Sequence, residues 1–169
     1  MEETRRERVR REARSLAKVL GVVLLFRAFV AQAYYIPSES MTPTLAVGDR
    51  IFVDRVSYRL RAPARGEVVV FDHPRQHGTD LVKRVVAVGG DRVEGKDGTV
   101  WVNGRASGAS SDFPALEVPA DNLFVMGDNR DNSSDSRVWG LVPLGLVEGR
   151  ARLVWWSGAE LGRTMSLVR

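Results

Sequence analysis

Residues 81–90 read LVKRVVAVGG, a short run rich in Val that ends in two glycines. Five other runs have the same character: IFVDRVSY, GEVVVFD, GTVWVNG, NLFVMGD and RARLVWW. Gly, Pro, Asn and Asp separate the runs at intervals of about ten residues, which is typical of short β-strands joined by turns. No helical period longer than a turn or two follows Leu45. We therefore predict a mostly β body, either barrel-like or built from packed antiparallel sheets.

Three local predictions follow from the residues between these runs. Residues 94–99 read EGKDGT, and the Asp97-Gly98 step suits the tight turn of a hairpin. Residues 144–147 are predicted to form one short helix. Residues 106–120 are rich in Ser, Ala and Pro and are predicted to form a surface loop.

The N-terminal part of the chain differs in character from this body. The chain has 169 residues and a net charge of +4. Much of the positive charge lies early, in Arg5, Arg6, Arg8, Arg10, Arg11, Arg14 and Lys18. Residues 19–36 then read VLGVVLLFRAFVAQAYYI, close to the roughly 20 residues with which a helix crosses a bilayer. Because basic residues favour the cytoplasmic side, we predict a cytoplasmic N-terminus (1–18), a transmembrane anchor (19–36) and an extracytoplasmic β-rich domain (37–169).

Two other interpretations of residues 19–36 remain open. The Ala31-Gln32-Ala33 sequence has the form of a cleavage site, so the segment is also consistent with a removed signal peptide. Arg27 and Gln32 interrupt the apolar run, and a buried core helix is the second alternative. A basic arm can also bind nucleic acid, but its position before an apolar run favours a topology signal, so no nucleic-acid partner is predicted.

The residue inventory limits the possible chemistry. The chain has no cysteine, which excludes disulfides and thiolate-ligated zinc. His73 and His77 both fall in the polar turn FDHPRQHGTD, where Pro74 and Gly78 argue against a helical metal site. Residues 127–137 read GDNRDNSSDSR, whose spacing does not match a calcium-binding EF-hand loop. Two arginines among its carboxylates favour an ion-pair network that fixes the loop, although a solvated turn is the simpler alternative.

Lys83 is a candidate general base. On a strand it would share a face with Leu81 and Val85, while Arg84 would point to the opposite face. An amine on an apolar face loses solvation, which lowers its pKa and favours the neutral form that can accept a proton. The alternative is an edge-strand lysine whose ammonium group reaches water.

A serine-rich turn supplies a candidate nucleophile. The sequence PSESMTPTL directly follows the apolar segment and places two serines around Glu39. It is either a turn capped by hydroxyl groups or a nucleophile held near a membrane surface. Serine and lysine act together in some peptidases, so the turn and Lys83 are compatible with one site.

Taken in order, PSESM, TPTL, KRVVAVGGD and GDNRDNSSDSRVWG behind a basic, apolar N-terminus resemble bacterial type I signal peptidase. The resemblance runs from about Val19 to Trp156. It implies a mostly β fold of coiled antiparallel sheets and a Ser/Lys endopeptidase without metal or cofactor. It also implies a single-pass protein of the cell membrane that cuts preprotein signal peptides after an A-x-A site, with the lipid bilayer as a further partner.

The resemblance also implies a role for individual residues. Ser40 corresponds to the nucleophile and Lys83 to its general base. Ser38 corresponds to the hydroxyl that joins the Ser40 backbone N–H in an oxyanion hole. Ser133 corresponds to a serine that orients the lysine. Supporting ion pairs are implied between Arg84 and Asp128 and between Asp135 and Arg137, and the implied cleft walls are Ile36, Pro37, Met41, Leu45, Leu81 and Val82.

Some features depart from that pattern. Glu39 stands between the two serines where many relatives have Gly, so its charge is expected to affect leader preference. The region from about 89 to 122 is short, and we expect a small accessory β region there. Two rival interpretations remain: the self-cleaving peptidase domain of the SOS repressor family, and an anchored β domain that binds extended peptides without cutting them.

Overall fold

The computed structural model describes residues 5–29 and 31–168. A long helix, α1 (Arg5–Phe29), precedes a body made mainly of strands. The strands of the first half are β1 (Ala31–Tyr35), β2 (Arg50–Asp54), β3 (Val68–Asp72), β4 (Asp80–Val88), β5 (Arg92–Lys96) and β6 (Thr99–Val102). The later strands are β7 (Arg105–Ala109), β8 (Phe113–Glu117), β9 (Asn122–Met126), β10 (Val142–Pro143), β11 (Val147–Trp156) and β12 (Ser166–Leu167). Short helices are α2 (Ser57–Leu60) and α3 (Ser136–Trp139), and 3₁₀ turns cover Leu144–Leu146 and Leu161–Arg163.

The strands form two antiparallel sheets. The larger sheet has the order β1-β2-β11-β3-β4-β9-β10, with β12 added beside β11, and the smaller has the order β7-β6-β5-β8. Neighbouring strands in both sheets run antiparallel. In the described residues β1 and β10 end the larger sheet without pairing with each other, so no closed barrel forms. The mostly β prediction is therefore confirmed as packed antiparallel sheets, and its barrel-like form is wrong.

Three clusters of buried side chains make up the core. The first contains Ile36, Met41, Leu45, Ile51, Val53, Val68, Val70, Ala151 and Val154. The second joins the two sheets through Val86, Ala87, Val93, Val100, Val102, Val118, Phe124 and Met126. The third contains Val69, Phe71, Val85, Leu123, Val125, Trp139 and Val142. Successive residues of β3 alternate between the first and third clusters because successive side chains on a strand point to opposite faces.

The predicted segment 19–36 does not form one continuous helix. Helix α1 starts earlier and ends at Phe29, and Ala31–Tyr35 is strand β1, which pairs with β2 so that Ala33 lies opposite Phe52. Pairing with a neighbouring strand gives the backbone of β1 the hydrogen bonds that a helix would otherwise supply. Within the described residues, no helix combines the length and apolarity needed to cross a bilayer.

The local predictions have mixed outcomes. The hairpin is confirmed, since Lys96 lies opposite Thr99 and both Asp97 and Gly98 have positive φ. The short helix at 144–147 is a single 3₁₀ turn over Leu144–Leu146. The loop predicted at 106–120 is wrong, because two strands occupy much of this stretch. Strand β7 pairs with β6, and strand β8 pairs with β5. Their side chains are almost all exposed, so the apolar alternation that marks a strand in sequence is missing.

Candidate active site

Ser40 lies on a tight turn between β1 and β2. The backbone N–H of Thr42 donates to the Glu39 carbonyl over 3.0 Å, and that of Leu45 donates to the Met41 carbonyl over 2.9 Å. Met41 and Leu45 are buried in the first core cluster, which fixes the turn to the body of the domain. Ser40 itself stays partly exposed, so its hydroxyl is presented at the surface from a rigid support.

Lys83 reaches this serine from strand β4. Its Nζ lies 2.6 Å from Ser40 Oγ, and Ser38 Oγ lies 3.2 Å from Ser40 Oγ. Only 4% of Lys83 is exposed. Two residues that are 43 positions apart in sequence thus form a hydroxyl–amine pair at hydrogen-bond distance, which is the arrangement required of a nucleophile and its base.

The environment of Lys83 favours a neutral amine. Burial lowers the pKa of Lys83 to about 8, against the opposing effect of the Asp135 and Asp128 carboxylates, which raise it. Part of the burial that lowers this pKa comes from β4 itself. Leu81 and Val85 lie on the same face of the strand as Lys83 and pack with the third core cluster. Near pH 8 a large fraction of Lys83 can therefore accept a proton.

Arg84 projects to the other face of β4 and forms a bidentate ion pair. Its Nε donates to Asp128 Oδ1 and its Nη2 to Asp128 Oδ2, both over 2.6 Å. Nη1 donates to the Gly66 carbonyl over 2.6 Å, and Nη2 also donates to Thr44 Oγ1 over 3.1 Å. The pair predicted from the resemblance is present, and it joins β4 to the loop after β9 and to the Ser40 turn.

Breaking this pair is expected to destabilise the fold. Asp128→Ala would leave the largely buried guanidinium of Arg84, 18% exposed, without its carboxylate. We expect the free energy of unfolding to fall by about 2–3 kcal/mol, because unpairing a poorly solvated charge costs more than the pair itself contributes. Urea denaturation would measure the loss. Arg152→Ala, which removes an exposed partner of Asp54, is the matched control and should cost less than about 1 kcal/mol; equal losses would contradict the argument.

The loop between β9 and α3 is built around Asp135. Its side chain is fully buried, accepts from the Gly127 N–H over 3.0 Å, and accepts from Arg137 Nε and Nη2, each over 2.9 Å. Burial alone would raise the pKa of Asp135, but the hydrogen bonds from Arg137 and Gly127 outweigh burial and lower it. The predicted Asp135–Arg137 pair is thus present and fixes this loop beside Lys83.

Ser133 is close to the Ser40–Lys83 pair without being bonded to it. A Cβ atom added at Gly127 would overlap both Ser133 Oγ and the Ser40 carbonyl oxygen, so these two residues converge on one glycine. Ser133 Oγ is buried and has no hydrogen-bond partner by distance and angle among the described residues. It is still near enough to contribute to the lowered pKa of Asp135. Because no bond from Ser133 to Lys83 is formed, its orienting role stays a prediction.

A narrow cleft opens next to Ser40. It encloses about 290 Å³ and is lined by Tyr34, Tyr35, Ile36, Pro37, Ser38, Ser40, Met41, Thr79, Asp80, Leu81, Val82 and Lys83. Five of the six residues predicted to form its walls are among them. Leu45 is not, because it is completely buried in the first core cluster below the turn.

The backbone of β4 also faces this cleft. Val85 N–H donates to Glu67 O, and His73 N–H donates to Thr79 O, so residues 79 and 85 turn their polar backbone groups toward β3. Backbone groups alternate sides along a strand, which directs those of Val82 away from β3. Strand β9 pairs with β4 only from Arg84 onward. Among the described residues, the β4 edge at Val82 therefore has no strand partner.

A model of the family described as signal peptidase, peptidase S26, matches residues 9–156. The chain belongs to this family. It is 40% identical over 158 residues to a probable signal peptidase I-2 of Synechocystis sp., covering 85% of this chain and 72% of that protein. Signal peptidase I of Leptolyngbya laminosa is 42% identical over 160 residues, covering 85% and 78%. A crystal structure of a signal peptidase I from Enterococcus faecalis aligns with a TM-score of 0.49 and 30% identity, covering 53% of this chain and 97% of that one.

Two asparagines near the Ser40–Lys83 pair were missed by sequence reasoning. Asn129 N–H donates to the Ser40 carbonyl over 3.1 Å, and Asn129 Nδ2 donates to the Glu39 carbonyl over 3.3 Å. Asn132 Nδ2 donates to Glu39 Oε2 over 3.4 Å. These bonds tie the 127–137 loop to the Ser40 turn. Asparagine readily bonds to nearby backbone groups in turns, but its partner here is about 90 residues away and leaves no local signal.

Sequence reasoning also missed a cluster of three polar side chains at the far end of the peptidase cleft. Tyr34 of β1 donates to Glu148 of β11, and Asp80 of β4 lies beside them. Burial, followed by the neighbouring Glu148, raises the pKa of both Tyr34 and Asp80. Glu148 lies in β11, far in sequence from the Ser40 turn and from Lys83. The fold brings it to Tyr34 and Asp80, which line the cleft.

The two histidines have their hydrogen-bond partners in the turn between β3 and β4, not in the Ser40–Lys83 pair. His73 Nδ1 accepts from the Arg75 backbone N–H, and His77 Nδ1 is 2.9 Å from Asp72 Oδ2 on the exposed turn between β3 and β4. The predicted assignment as loop histidines agrees with these positions. Within the part of the chain that the structure describes, no group of three or more His, Asp or Glu side chains is arranged to hold a metal ion.

Proposed function

We propose that this chain is a membrane-anchored endopeptidase that removes N-terminal signal peptides from exported preproteins, using Ser40 as nucleophile and Lys83 as base. The observation that carries the proposal is the 2.6 Å separation of Lys83 Nζ and Ser40 Oγ, with Lys83 almost completely buried. The family match adds that the reaction is a peptidase reaction. No metal or cofactor takes part in the proposed steps.

The proposed reaction starts with proton transfer. Neutral Lys83 accepts the Ser40 proton as Oγ attacks the scissile carbonyl carbon, and the oxyanion that forms lies between Ser38 Oγ and the Ser40 N–H. The carbon–nitrogen bond then breaks, and the leaving amine takes the proton from Lys83. Lys83 next accepts a proton from water as the water oxygen attacks the ester carbonyl. The carbon–Oγ bond then breaks, Lys83 returns the proton to Ser40 Oγ, and the signal peptide leaves with a new C-terminal carboxyl group.

The cleft supports binding of an extended leader. The open β4 edge at Val82 offers one N–H and one C=O to a peptide strand, in the manner of β-strand addition. Lys83 and Asp80 are three positions apart on β4, so the far end of the cleft lies about 10 Å from the dyad. Side chains two residues apart on an extended peptide share a face. The −1 and −3 side chains would then both face the cleft, and a preference for small residues such as Ala there is part of the proposal.

Several features support a membrane location. We propose that α1 anchors the chain with its basic end in the cytoplasm, because arginines fill its first half and residues 19–29 are mostly apolar. Ser40 follows the end of α1 by 11 residues, which favours a cleft close to the bilayer. Trp156, with 42% of its surface exposed, and the neighbouring pair of Trp155 and Phe52 could add lipid contacts on the extracytoplasmic side.

Strand β1 also bears on the alternative of a removed leader. Cleavage after Ala33 would separate Ala31–Ala33 from Tyr34 and Tyr35, although all five residues pair with β2 in one strand. Tyr34 and Tyr35 also line the cleft. We therefore propose that the anchor is retained.

The test is cleavage of a preprotein that carries an A-x-A leader by the detergent-solubilised full chain. We expect one cut after the −1 Ala, mapped by sequencing the new N-terminus, and no cut by Ser40→Ala. Equal cleavage by both would point to another site or a contaminant. No cleavage by the folded wild type, together with leader binding, would support the non-cutting peptide-binding domain instead.

The pH dependence of kcat/KM is expected to follow Lys83. Its pKa is depressed to about 8, and only the neutral amine acts as base, so the rate should rise about tenfold per pH unit below 8 and level off above about 9. Initial rates from pH 6 to 10 with a short leader peptide would measure this. A rate independent of pH over that range would rule out a free lysine base.

A further inference from the structure

The segment 157–168 returns to the turn that carries Ser40. It leaves β11, passes through the 3₁₀ turn Leu161–Arg163, and pairs again with β11 as β12. This segment lies outside the residues matched by the family model, which end at 156. Arg163 is its contact with the active site: Nη1 donates to the Pro43 carbonyl over 2.9 Å, and Nη2 donates to the Thr44 carbonyl over 2.7 Å.

These two carbonyls belong to the non-helical turn that follows Ser40. Within that turn, the Leu45 N–H already bonds to the Met41 carbonyl. Among the described residues, neither the Pro43 carbonyl nor the Thr44 carbonyl accepts a backbone hydrogen bond, so each needs a partner from elsewhere. Arg163 supplies that partner with a planar guanidinium group, whose donors can hold two adjacent carbonyls at once.

The guanidinium is itself held in place from the other side. Arg163 Nη2 also donates to Asp49 Oδ2 over 3.0 Å, and Asp49 is fully buried. The same carboxylate accepts from Ser157 Oγ over 2.6 Å and from the Ala46 N–H over 2.9 Å. The Asp49 backbone carbonyl accepts from the Ile36 N–H, so this network reaches the start of the cleft wall as well.

We propose that Arg163 is a positioning residue for the peptidase reaction: by binding the Pro43 and Thr44 carbonyls it fixes the Ser40 turn against Lys83. This inference rests on the proposed function, since it assigns Arg163 to the same site. Among the described residues, the Arg163 side chain bonds to Pro43, Thr44 and Asp49 and not to Lys83 or Ser38, so it acts through the backbone of the turn. A small displacement of Ser40 Oγ and N–H relative to Lys83 would lower the rate strongly, because reactivity depends steeply on alignment.

The test compares Arg163→Gln with Arg152→Gln in the full chain. Arg152 is an exposed arginine of the adjoining strand β11, where it bonds to Asp54 and Ser57 without touching the Ser40 turn. We expect kcat of Arg163→Gln to fall about 30- to 100-fold while KM changes less than about threefold. The midpoint of its pH profile should stay at the wild-type value, because the surroundings of Lys83 are intact. Arg163→Lys, with one ammonium in place of the fork, should lose less activity than Arg163→Gln.

A second readout does not depend on peptidase activity. Hydrogen exchange of residues 41–46 should be faster in Arg163→Gln than in Arg152→Gln, while exchange of β3 and β9 stays the same. An unchanged kcat per folded molecule in Arg163→Gln, or a loss confined to KM, would overturn the proposal. If the wild type cuts no leader, the proposed function fails. The positioning role is tested separately by hydrogen exchange, and equally slow exchange of residues 41–46 in both variants would overturn it. Should Arg163→Gln not fold, the same comparison is made with Arg163→Lys.

Discussion

Lys83→Ala is expected to lower kcat for leader cleavage by about 10³-fold or more, with little change in KM. The amine lies 2.6 Å from Ser40 Oγ, and its burial holds it in the form that accepts a proton near pH 8. Without it, a serine hydroxyl at its ordinary pKa is a weak nucleophile, and only binding and the oxyanion donors remain to assist the reaction. Single-turnover kinetics with a leader peptide would measure the chemical step directly.

The control for this variant is Lys96→Ala. Lys96 ends β5 at the confirmed hairpin and is exposed, so its loss should leave kcat within about threefold of the wild type. Thermal melting of both variants would show that the domain is folded; Lys83→Ala is expected to melt at or above the wild-type temperature, because a buried amine is costly to desolvate. A folded Lys83→Ala variant that retains more than about a tenth of the wild-type kcat would rule out Lys83 as the base.

Gly127→Ala is expected to have the second largest effect, a fall in kcat/KM of about 10²-fold. The added methyl group would overlap the Ser40 carbonyl oxygen and Ser133 Oγ. The carbonyl is part of the backbone and is also bonded to the Asn129 N–H, so it cannot move without shifting the turn that holds Ser40. Overfilling a packed site in this way typically costs about 1–3 kcal/mol of stability, and misalignment of Ser40 adds the loss of rate.

Gly145→Ala provides the matched glycine control. An added Cβ at Gly145 meets nothing within 4 Å, so this variant should keep its stability and its kcat/KM within about threefold. Urea denaturation and leader cleavage, measured side by side, separate the two contributions at Gly127. If Gly127→Ala cleaves the leader as fast as Gly145→Ala, the close approach of β9 to the Ser40 turn has no role in catalysis.

Much of this fold is visible in the local sequence. The Val-rich runs predict strands β2, β3, β4, β6, β9 and β11, and the Asp97-Gly98 step predicts the hairpin that the structure contains. Strands β7 and β8 escape prediction because their exposed, small side chains carry no alternation. Strand β1 also escapes prediction, because its residues continue an apolar run that is typical of a helix. Pairing with β2 determines their conformation instead.

The candidate site divides in the same way. Ser38, Ser40, Lys83 and the acidic loop stand out by residue type and spacing, and the separate faces of Lys83 and Arg84 follow from the two-residue period of a strand. Their separations do not follow from spacing, since the serine and the lysine are 43 positions apart. Burial of Lys83, which lowers its pKa, is likewise produced by the packing of β3, β4 and β9 around it.

The candidate reactive residues and the strands of the Val-rich runs are therefore set by short-range patterns, because residue type, turn propensity and alternation act over a few positions. The full burial of Leu45 below the cleft, the place of Glu148 at its far end and the bonds from Arg163 to the Ser40 turn depend on the coiled sheet. Each arises where segments far apart in sequence are pressed together by a shared core, and backbone groups that are buried there must find partners wherever the fold brings them.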